Sequence, residues 1–297
     1  MLLSVFSDAL FTMSKNPSAH SPSLLTAGLL LIALLGFASQ ANANTIWFSN
    51  LANWSTFQDG DVVSYDTETG LPGTTELFDE ASFTSAGEDV YGFSRVSNGG
   101  FALSTQGTAT LGGLTFQNED IVLYDPLADT ASLLFDGTSV LGAGAAIDAV
   151  HICIEASVSC TAGDILFSTT QNVTLGGVTY DDDDVIAWNP ASATGSLFFD
   201  TDLYTDNDAE LNGFHVTRDG RIYFTLAELE TISGTTFDDT AIVEFDIATG
   251  EVVSVFETAA FGTNDVDALS LIPEPSTAVL ISMGLVMLNL RRHSQAA

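Results

Sequence analysis

Four short apolar stretches of β-branched and aromatic residues recur along the chain, each followed by a turn that contains Asp, Pro or Gly. They cover residues 61–66, 120–125, 184–189 and 241–246, and their last residues are 59, 64 and 57 positions apart. Such stretches between turn residues are typical of β-strands. A second apolar run follows each turn and ends in Phe and an acidic residue. The acidic residues that end these second strands are Asp79, Asp136, Asp200 and Glu257.

Two further predicted strands complete each repeat. The third strands are predicted at 90–96, 147–152, 211–216 and 266–271, and the fourth at 101–105, 165–169 and 222–226. The fourth repeat has no such strand after Leu271, but residues 45–49 near the other end of the chain have the matching pattern. This predicts an all-β fold, a small β-propeller of four repeats of roughly 60 residues, closed by both termini. A β-solenoid or a β-sandwich remains the alternative.

Candidate functional residues stand at equivalent positions of the predicted third strands. Gly92, Ala149, Gly213 and Ala268 share one position, and small residues there suit a crowded strand beside a narrow axis. Two residues later the same strands carry Ser94, His151, His215 and Ser270. Two histidines in one ring are able to bind a transition metal or to act as acid and base, although a structural role is the commoner one. Acidic residues at the strand starts predict a carboxylate cluster of Asp89, Asp148, Glu210, Asp265 and Asp267.

The loops between the fourth and first strands share an aromatic residue followed by acids or amides. Hard oxygen ligands grouped in this way are typical of Ca²⁺ sites, which take six to eight oxygens. The candidate calcium ligands are Glu119, Asp120, Asp181, Asp182, Asp183, Asp184, Asp238 and Asp239. The alternative is that Asp and Asn simply start turns on a solvated face. The loops do not have the spacing of an EF-hand.

The net charge of the predicted domain limits the kinds of molecule that it can bind. Between residues 44 and 272 lie 37 of the 39 acidic residues and three basic ones, Arg95, Arg218 and Arg221, a formal charge of −34. This balance argues against nucleic acid as a partner, and favours divalent cations or a protein kept soluble outside the cell. Cys153 and Cys160, the only two cysteines, are predicted to form a disulfide in an oxidising compartment. Two thiols beside His151 are the alternative, an incomplete metal site.

The N-terminal segment has the features of a secretory signal. Residues 1–43 contain Lys15 and an apolar core from 24 to 37, and the small-residue site Ala41-Asn42-Ala43 would release Asn44 as the first residue. Met13 is an alternative start, and a retained transmembrane helix is the alternative interpretation. The predicted globular domain is then 44–272, between this helical signal and a C-terminal sorting segment, 273–297.

The C-terminal segment combines a turn, Pro273-Glu274-Pro275, an apolar run at 278–290 and a basic stop, Arg291-Arg292. A helix of 13 residues spans about 20 Å, short of the roughly 30 Å hydrocarbon core, so we expect only transient anchoring in the inner membrane. This three-part tail resembles the PEP-CTERM sorting domain of exported bacterial proteins. The resemblance implies processing by an exosortase and delivery to the outer surface or extracellular matrix of a Gram-negative bacterium, in association with exopolysaccharide. A membrane anchor that stays attached is the alternative.

Searches for catalytic motifs find no nucleophile elbow, zinc-protease motif or phosphate-binding loop. The sequence therefore predicts a protein without enzymatic activity, a structural or binding module of the biofilm matrix. A calcium-dependent adhesion module and a secreted propeller hydrolase that uses axial carboxylates or histidines are the two alternatives.

Overall fold

The computed structural model describes residues 45–50, 57–66, 71–85, 88–96, 99–154, 156–157, 160–205, 210–257 and 266–272. The predicted signal with Ala41, Ala43 and Asn44, the sorting tail 273–297, and Asp265 lie outside the described residues. Among the residues described, no helix combines the length and the apolar character that a membrane span requires.

Four antiparallel four-stranded sheets form a ring, and each sheet is one blade of a β-propeller. Blade 1 consists, from the axis outward, of β22 (Val266–Ile272), β1 (Thr45–Asn50), β2 (Val62–Asp66) and β3 (Leu71–Phe78). Blade 2 consists of β4 (Val90–Arg95), β5 (Phe101–Thr105), β8 (Ile121–Asp125) and β9 (Thr130–Phe135). Blade 3 consists of β10 (Ile147–Ile152), β11 (Ile165–Thr169), β14 (Val185–Asn189) and β15 (Thr194–Phe199). Blade 4 consists of β16 (Leu211–Val216), β17 (Arg221–Leu226), β20 (Ala241–Asp246) and β21 (Glu251–Glu257).

The two ends of the domain close the ring within blade 1. β1 pairs with β22, with Thr45 opposite Ile272 and Ile46 opposite Leu271, and β1 also pairs with β2. The predicted four-bladed propeller closed by both termini is thus confirmed, and the solenoid and sandwich alternatives are excluded. Each blade joins the third and fourth strands of one sequence repeat to the first and second strands of the next, so the repeats are offset from the blades by half a unit.

Small residues on the four inner strands allow the blades to approach the axis. A Cβ atom on Gly92 would lie 2.5 Å from the Ser104 hydroxyl and 2.6 Å from a methyl group of Val150 in the next blade. At the equivalent positions Ala149 and Ala268 are fully buried. The core between the blades is filled by buried aromatic and aliphatic side chains, among them Phe93, Val150, Phe214 and Leu269, one residue further along each inner strand.

A hydroxyl at one fixed position of the second strand bonds each of three blades to the next. The shared acceptor is the carbonyl of the first residue of the neighbouring inner strand. These bonds run from Ser49 to Val90 (2.8 Å), from Ser104 to Ile147 (2.8 Å) and from Thr225 to Val266 (2.7 Å). We call this contact the hydroxyl bond. Sequence analysis did not find it, although a Ser or Thr stands at this position in all four repeats.

Removing one hydroxyl bond is expected to weaken the propeller measurably. Ser104→Ala deletes a buried bond between blades 2 and 3, which should lower the free energy of unfolding by about 1 kcal/mol. Thr110→Ala is the matched control, because its hydroxyl pairs with Thr115 on an exposed hairpin, and surface changes usually stay within about 0.5 kcal/mol. Urea unfolding of both variants measures the difference, and equal midpoints would contradict the assigned role.

Blades 2, 3 and 4 each carry a short hairpin between their second and third strands, where the sequence predicted only loops. These hairpins are β6–β7 (Ala109–Leu111, Leu114–Phe116), β12–β13 (Val173–Leu175, Val178–Tyr180) and β18–β19 (Glu230–Ile232, Thr235–Phe237). Their two-residue turns have positive φ, as at Gly112 (52°) and Gly113 (81°), which glycine adopts without steric cost. One short helix, α1 (Gly137–Val140), and two 3₁₀ turns (Glu80–Ser82, Thr201–Leu203) follow outer strands.

Candidate functional site

A cavity of about 480 Å³ lies at the C-terminal ends of the inner strands β4, β10, β16 and β22. Its lining includes the two exposed arginines Arg95 and Arg218 and the two buried histidines His151 and His215. Apolar side chains supply most of the remaining wall, among them Val96, Ile152, Ile154, Val216 and Leu271. We call this space the axial cavity. Its size is that of cavities which bind small molecules.

The histidines lie on neighbouring blades, with ring centroids 4.5 Å apart and ring planes at 84°. Burial lowers the pKa of His151 to about 3. Burial, together with the neighbouring His151, also lowers the pKa of His215. Both imidazoles are therefore neutral at neutral pH, and the positive charge of the axial cavity comes from the arginines. The structure thus brings together the two histidines that the sequence placed in one ring.

A second contact between blades distinguishes the two histidines. Ser94 accepts a hydrogen bond from the Ile152 N–H of the next blade at 3.0 Å, and His215 Nδ1 accepts one from the Leu271 N–H at 3.3 Å. These two acceptors occupy the same position on their strands. His151 occupies it in blade 3, but its buried Nδ1 has no hydrogen-bond partner among the described residues. A buried polar atom without a partner costs about 1–3 kcal/mol of stability.

A disulfide forms part of the same wall. Cys153 is the first residue after β10 and forms a disulfide bond with Cys160, with the two Cα atoms 6.3 Å apart. The sulfur atoms lie within 4.8 Å of a His151 ring nitrogen. Because both sulfurs are engaged in the disulfide, they are not thiolate ligands in this state. The disulfide therefore closes a short loop beside the axial cavity.

The arginines of the axial cavity come from two different blades. Arg95 is the last residue of β4, and Arg218 lies in the turn between β16 and β17. The third arginine of the domain, Arg221, lies outside this lining and forms an ion pair with the buried carboxylate of Glu244. In a domain of formal charge −34, two of the three cations thus border one cavity. This local charge is opposite to that of the domain as a whole.

Acidic residues gather at the other end of the axis. Asp148, Glu210 and Asp267, together with Tyr91 and Asn212, line a cavity of about 210 Å³. Burial, with a smaller contribution from the Glu210 charge, raises the pKa of Asp148 to about 8. The carboxylates of Asp267, Asp148 and the buried Asp89 add to burial in raising the pKa of Tyr91. The structure therefore brings most of the predicted carboxylate cluster together.

The junction between blades 3 and 4 differs from its two neighbouring junctions at both ends of the axis. Here the equivalent hydroxyl, on Ser168, donates to the Asp148 carboxylate of its own blade instead of to a carbonyl of blade 4. At the opposite end, the same junction contains His151, whose Nδ1 has no partner in the described structure. The two neighbouring junctions, between blades 2 and 3 and between blades 4 and 1, have both interblade bonds, whereas among the described residues this junction has neither. The axial cavity and the acidic cavity at the opposite end both border it.

The candidate calcium ligands lie in three blades and mostly support their own turns. Asp120 accepts hydrogen bonds from the Gln117 N–H at 3.0 Å and, through its other oxygen, from the Gly137 N–H at 2.9 Å. Glu119 accepts from the Thr138 hydroxyl at 2.7 Å. Such bonds hold the hairpin, the third strand and the residues after the fourth strand together.

The acidic runs of blades 3 and 4 behave in the same way. Asp184 accepts from the Asp181 N–H at 3.0 Å, and burial raises the pKa of Asp184 to about 6. Asp183 accepts from Thr201 and has carboxylates of Asp200 and Asp202 within 4.8 Å. The remaining candidates are Asp182, which is half-buried, Asp238, which accepts from the Thr240 N–H at 3.1 Å, and the half-buried Asp239. Calcium binding stays a prediction.

Comparison with known proteins assigns no family to the chain. No family model matches the chain, and no curated protein matches it. Among solved structures, it is similar to a chain of a nidogen/laminin complex at 7% identity and a TM-score of 0.38, over 76% of this chain and 97% of that one. A protein of unknown function from Bacteroides caccae matches at 10% identity and a TM-score of 0.41, over 78% and 100%. Another protein of unknown function, from Bacteroides thetaiotaomicron, matches at 13% identity and a TM-score of 0.33, over 68% of this chain and 43% of that one.

Proposed function

We propose that this chain is an exported protein that an exosortase sorts through its C-terminal tail, and that its propeller is a non-catalytic binding or structural module of the cell surface or exopolysaccharide matrix. One observation carries this proposal. The strands that close the propeller begin at Thr45 and end at Ile272, and these two residues pair with each other. The predicted cleavage sites, before Asn44 and at Pro273 to Pro275, fall immediately outside this pair.

This placement makes both cleavages compatible with the fold. β22 is the inner strand of blade 1, and β1 bonds to it along its length. A cut on either side of the closing pair leaves every blade with four strands. A cut only a few residues further inside would remove part of an inner strand and expose its buried partners, such as Ile46 and Leu269. The two sequence signals and the boundary of the folded ring therefore agree.

The axial cavity supplies a place for a binding function. Among the described residues, the aromatic side chains are buried or half-buried. We expect recognition of a matrix component to rely on the axial cavity or on hydrogen bonds from loops. Secretion also agrees with the disulfide, which is formed in oxidising compartments.

Intact mass spectrometry of the protein from its native host tests export and sorting directly. We expect the secreted or matrix fraction to contain a chain that begins at Asn44 and ends near Glu274. A chain that retains Arg291 and Arg292 in the membrane fraction would overturn the sorting step. Substitution of Glu274 by Gln, or of Arg291 and Arg292 together by Gln, should leave the precursor unprocessed because each change alters the predicted sorting segment. Both changes fall outside the described propeller, so we expect the propeller to fold normally.

A second measurement tests the matrix role separately. The processed protein should sediment with exopolysaccharide extracted from the same host and should remain in solution without it. Absence of co-sedimentation, with a correctly processed mass, would reject the matrix association and leave export in place.

A further inference from the structure

We propose that the axial cavity binds a small organic acid, with the carboxylate held by Arg95 and Arg218 and an apolar body held among the aliphatic side chains. This inference names a ligand class for the proposed binding module. It rests on the proposed function in one respect, that the propeller binds its ligand and does not transform it. The two exposed arginines and the aliphatic side chains belong to one cavity of about 480 Å³.

The charge distribution selects the headgroup. The histidines of the axial cavity are neutral, so the arginines supply its positive charge. Guanidinium groups donate several hydrogen bonds in a fixed plane and bind carboxylates well. At physiological ionic strength charges are screened over about 8 Å, and Arg95 and Arg218 are the charged residues of the described lining. A polymer with many anionic groups would extend beyond them and meet the acidic exterior, which favours a single carboxylate.

The wall of the cavity selects the body of the ligand. Val96, Ile152, Val216 and Leu271 offer aliphatic surface without an aromatic ring. A hydrocarbon chain gains free energy when it leaves water for such a surface. Sugars would leave hydroxyl groups without partners there. The ligand class that meets both requirements is a monocarboxylic acid with an aliphatic body.

His151 adds a polar group that a carboxylic acid is able to use. Its Nδ1 is buried without a partner, whereas the equivalent atom of His215 accepts a backbone hydrogen bond. The imidazole is neutral and can donate or accept one bond according to its tautomer. A ligand oxygen in the axial cavity would give this histidine the partner that the 3–4 junction lacks.

Calorimetric titration of the exported, processed protein with three probes tests the inference. Hexanoate carries both the charge and the body, 1-hexanol carries only the body, and acetate carries only the charge. Small ligands of this size bind with modest affinity, so the titration extends to about 10 mM hexanoate. Hexanoate should show saturable binding within this range. Hexanol and acetate should each bind at least about tenfold more weakly. Equal binding of hexanol and hexanoate, or no binding of hexanoate, would overturn the proposal.

The three arginines provide matched variants. Arg95→Gln and Arg218→Gln should each weaken hexanoate binding by about tenfold. Arg221→Gln removes the same charge from the domain but lies outside the lining, so it should bind hexanoate like the unmodified protein. Thermal unfolding of all three variants establishes that they remain folded. Arg95 and Arg218 are exposed, so little change is expected there, whereas Arg221→Gln removes the partner of the buried Glu244 carboxylate and its binding is compared below its own melting temperature. An equal loss in all three variants would mean that only the overall field matters and would overturn the site.

The outcomes separate this inference from the proposed function. A correctly processed chain that does not bind hexanoate rejects the ligand assignment alone. A chain that binds hexanoate but keeps its C-terminal arginines rejects the sorting step alone.

Discussion

Replacing Gly213 with alanine is expected to lower the free energy of unfolding by about 2–4 kcal/mol, because the added methyl group overpacks the junction between two blades. An added Cβ would lie 2.7 Å from the Thr225 hydroxyl, 2.8 Å from Cβ of Leu269 and 2.9 Å from the carbonyl oxygen of Asp267. The last two atoms belong to the inner strand of blade 1 and move only with its backbone. The variant must therefore push blades 4 and 1 apart.

The same substitution also weakens a hydrogen bond. Thr225 donates the hydroxyl bond to the Val266 carbonyl, and the new methyl group would displace that hydroxyl. Overpacking and bond loss act at one junction, so their costs are coupled. Gly107→Ala is the control, since its only close neighbour among the described residues is the Glu88 carboxylate at 3.3 Å and its φ is ordinary. Urea unfolding of both variants decides the point, and a Gly213→Ala midpoint equal to that of Gly107→Ala would contradict the tight junction.

The closure of the ring could be predicted because its signal is a regular repeat. Each repeat places the same residue types at the same distance from an Asp-containing turn, so the missing strand after Leu271 and the extra strand at 45–49 are visible without any structure. The hairpins were harder to predict, because three-residue strands are too short to show alternation. The turn glycines Gly112 and Gly176 did indicate tight turns. In blade 4, Ser233 takes the corresponding left-handed position (φ 51°), so the sequence does not show the glycine signal for the third hairpin.

The candidate site was predicted only in part, because its components obey different rules. The histidines stand at equivalent strand positions, so a repeat alignment places them in one ring. Arg95 and Arg218 do not share a position: one ends an inner strand and the other lies in a turn beyond it. Only the folded ring brings them to one cavity. Likewise, which imidazole has a partner depends on whether the next strand presents its N–H within reach, a distance that the sequence does not contain.

The second large effect is a pH dependence that Asp148 should impose on stability. Its carboxyl has a pKa of about 8 in the folded protein, raised mainly by burial, against 3.8 as the ordinary value. Between these values the folded state binds one proton more than the unfolded state, so the stability from this group is complete below about pH 4 and declines as pH rises toward 8. Asp148→Asn removes the titration and keeps an acceptor for Ser168.

The stability difference between the unmodified protein and Asp148→Asn should therefore change by about 2–3 kcal/mol between about pH 5.5 and pH 7.5, to the disadvantage of the unmodified protein at the higher pH. The histidines, Glu210, Asp89, Asp267 and Tyr91 are present in both proteins, so the comparison isolates Asp148. Ser168→Ala gives an independent check. The Ser168 hydroxyl favours the ionised carboxylate, so its removal should raise the pKa of Asp148 further and extend the decline to higher pH. Parallel stability curves for the unmodified protein and Asp148→Asn would show that the carboxylate ionises without cost, which is incompatible with the desolvation assigned to the buried Asp148.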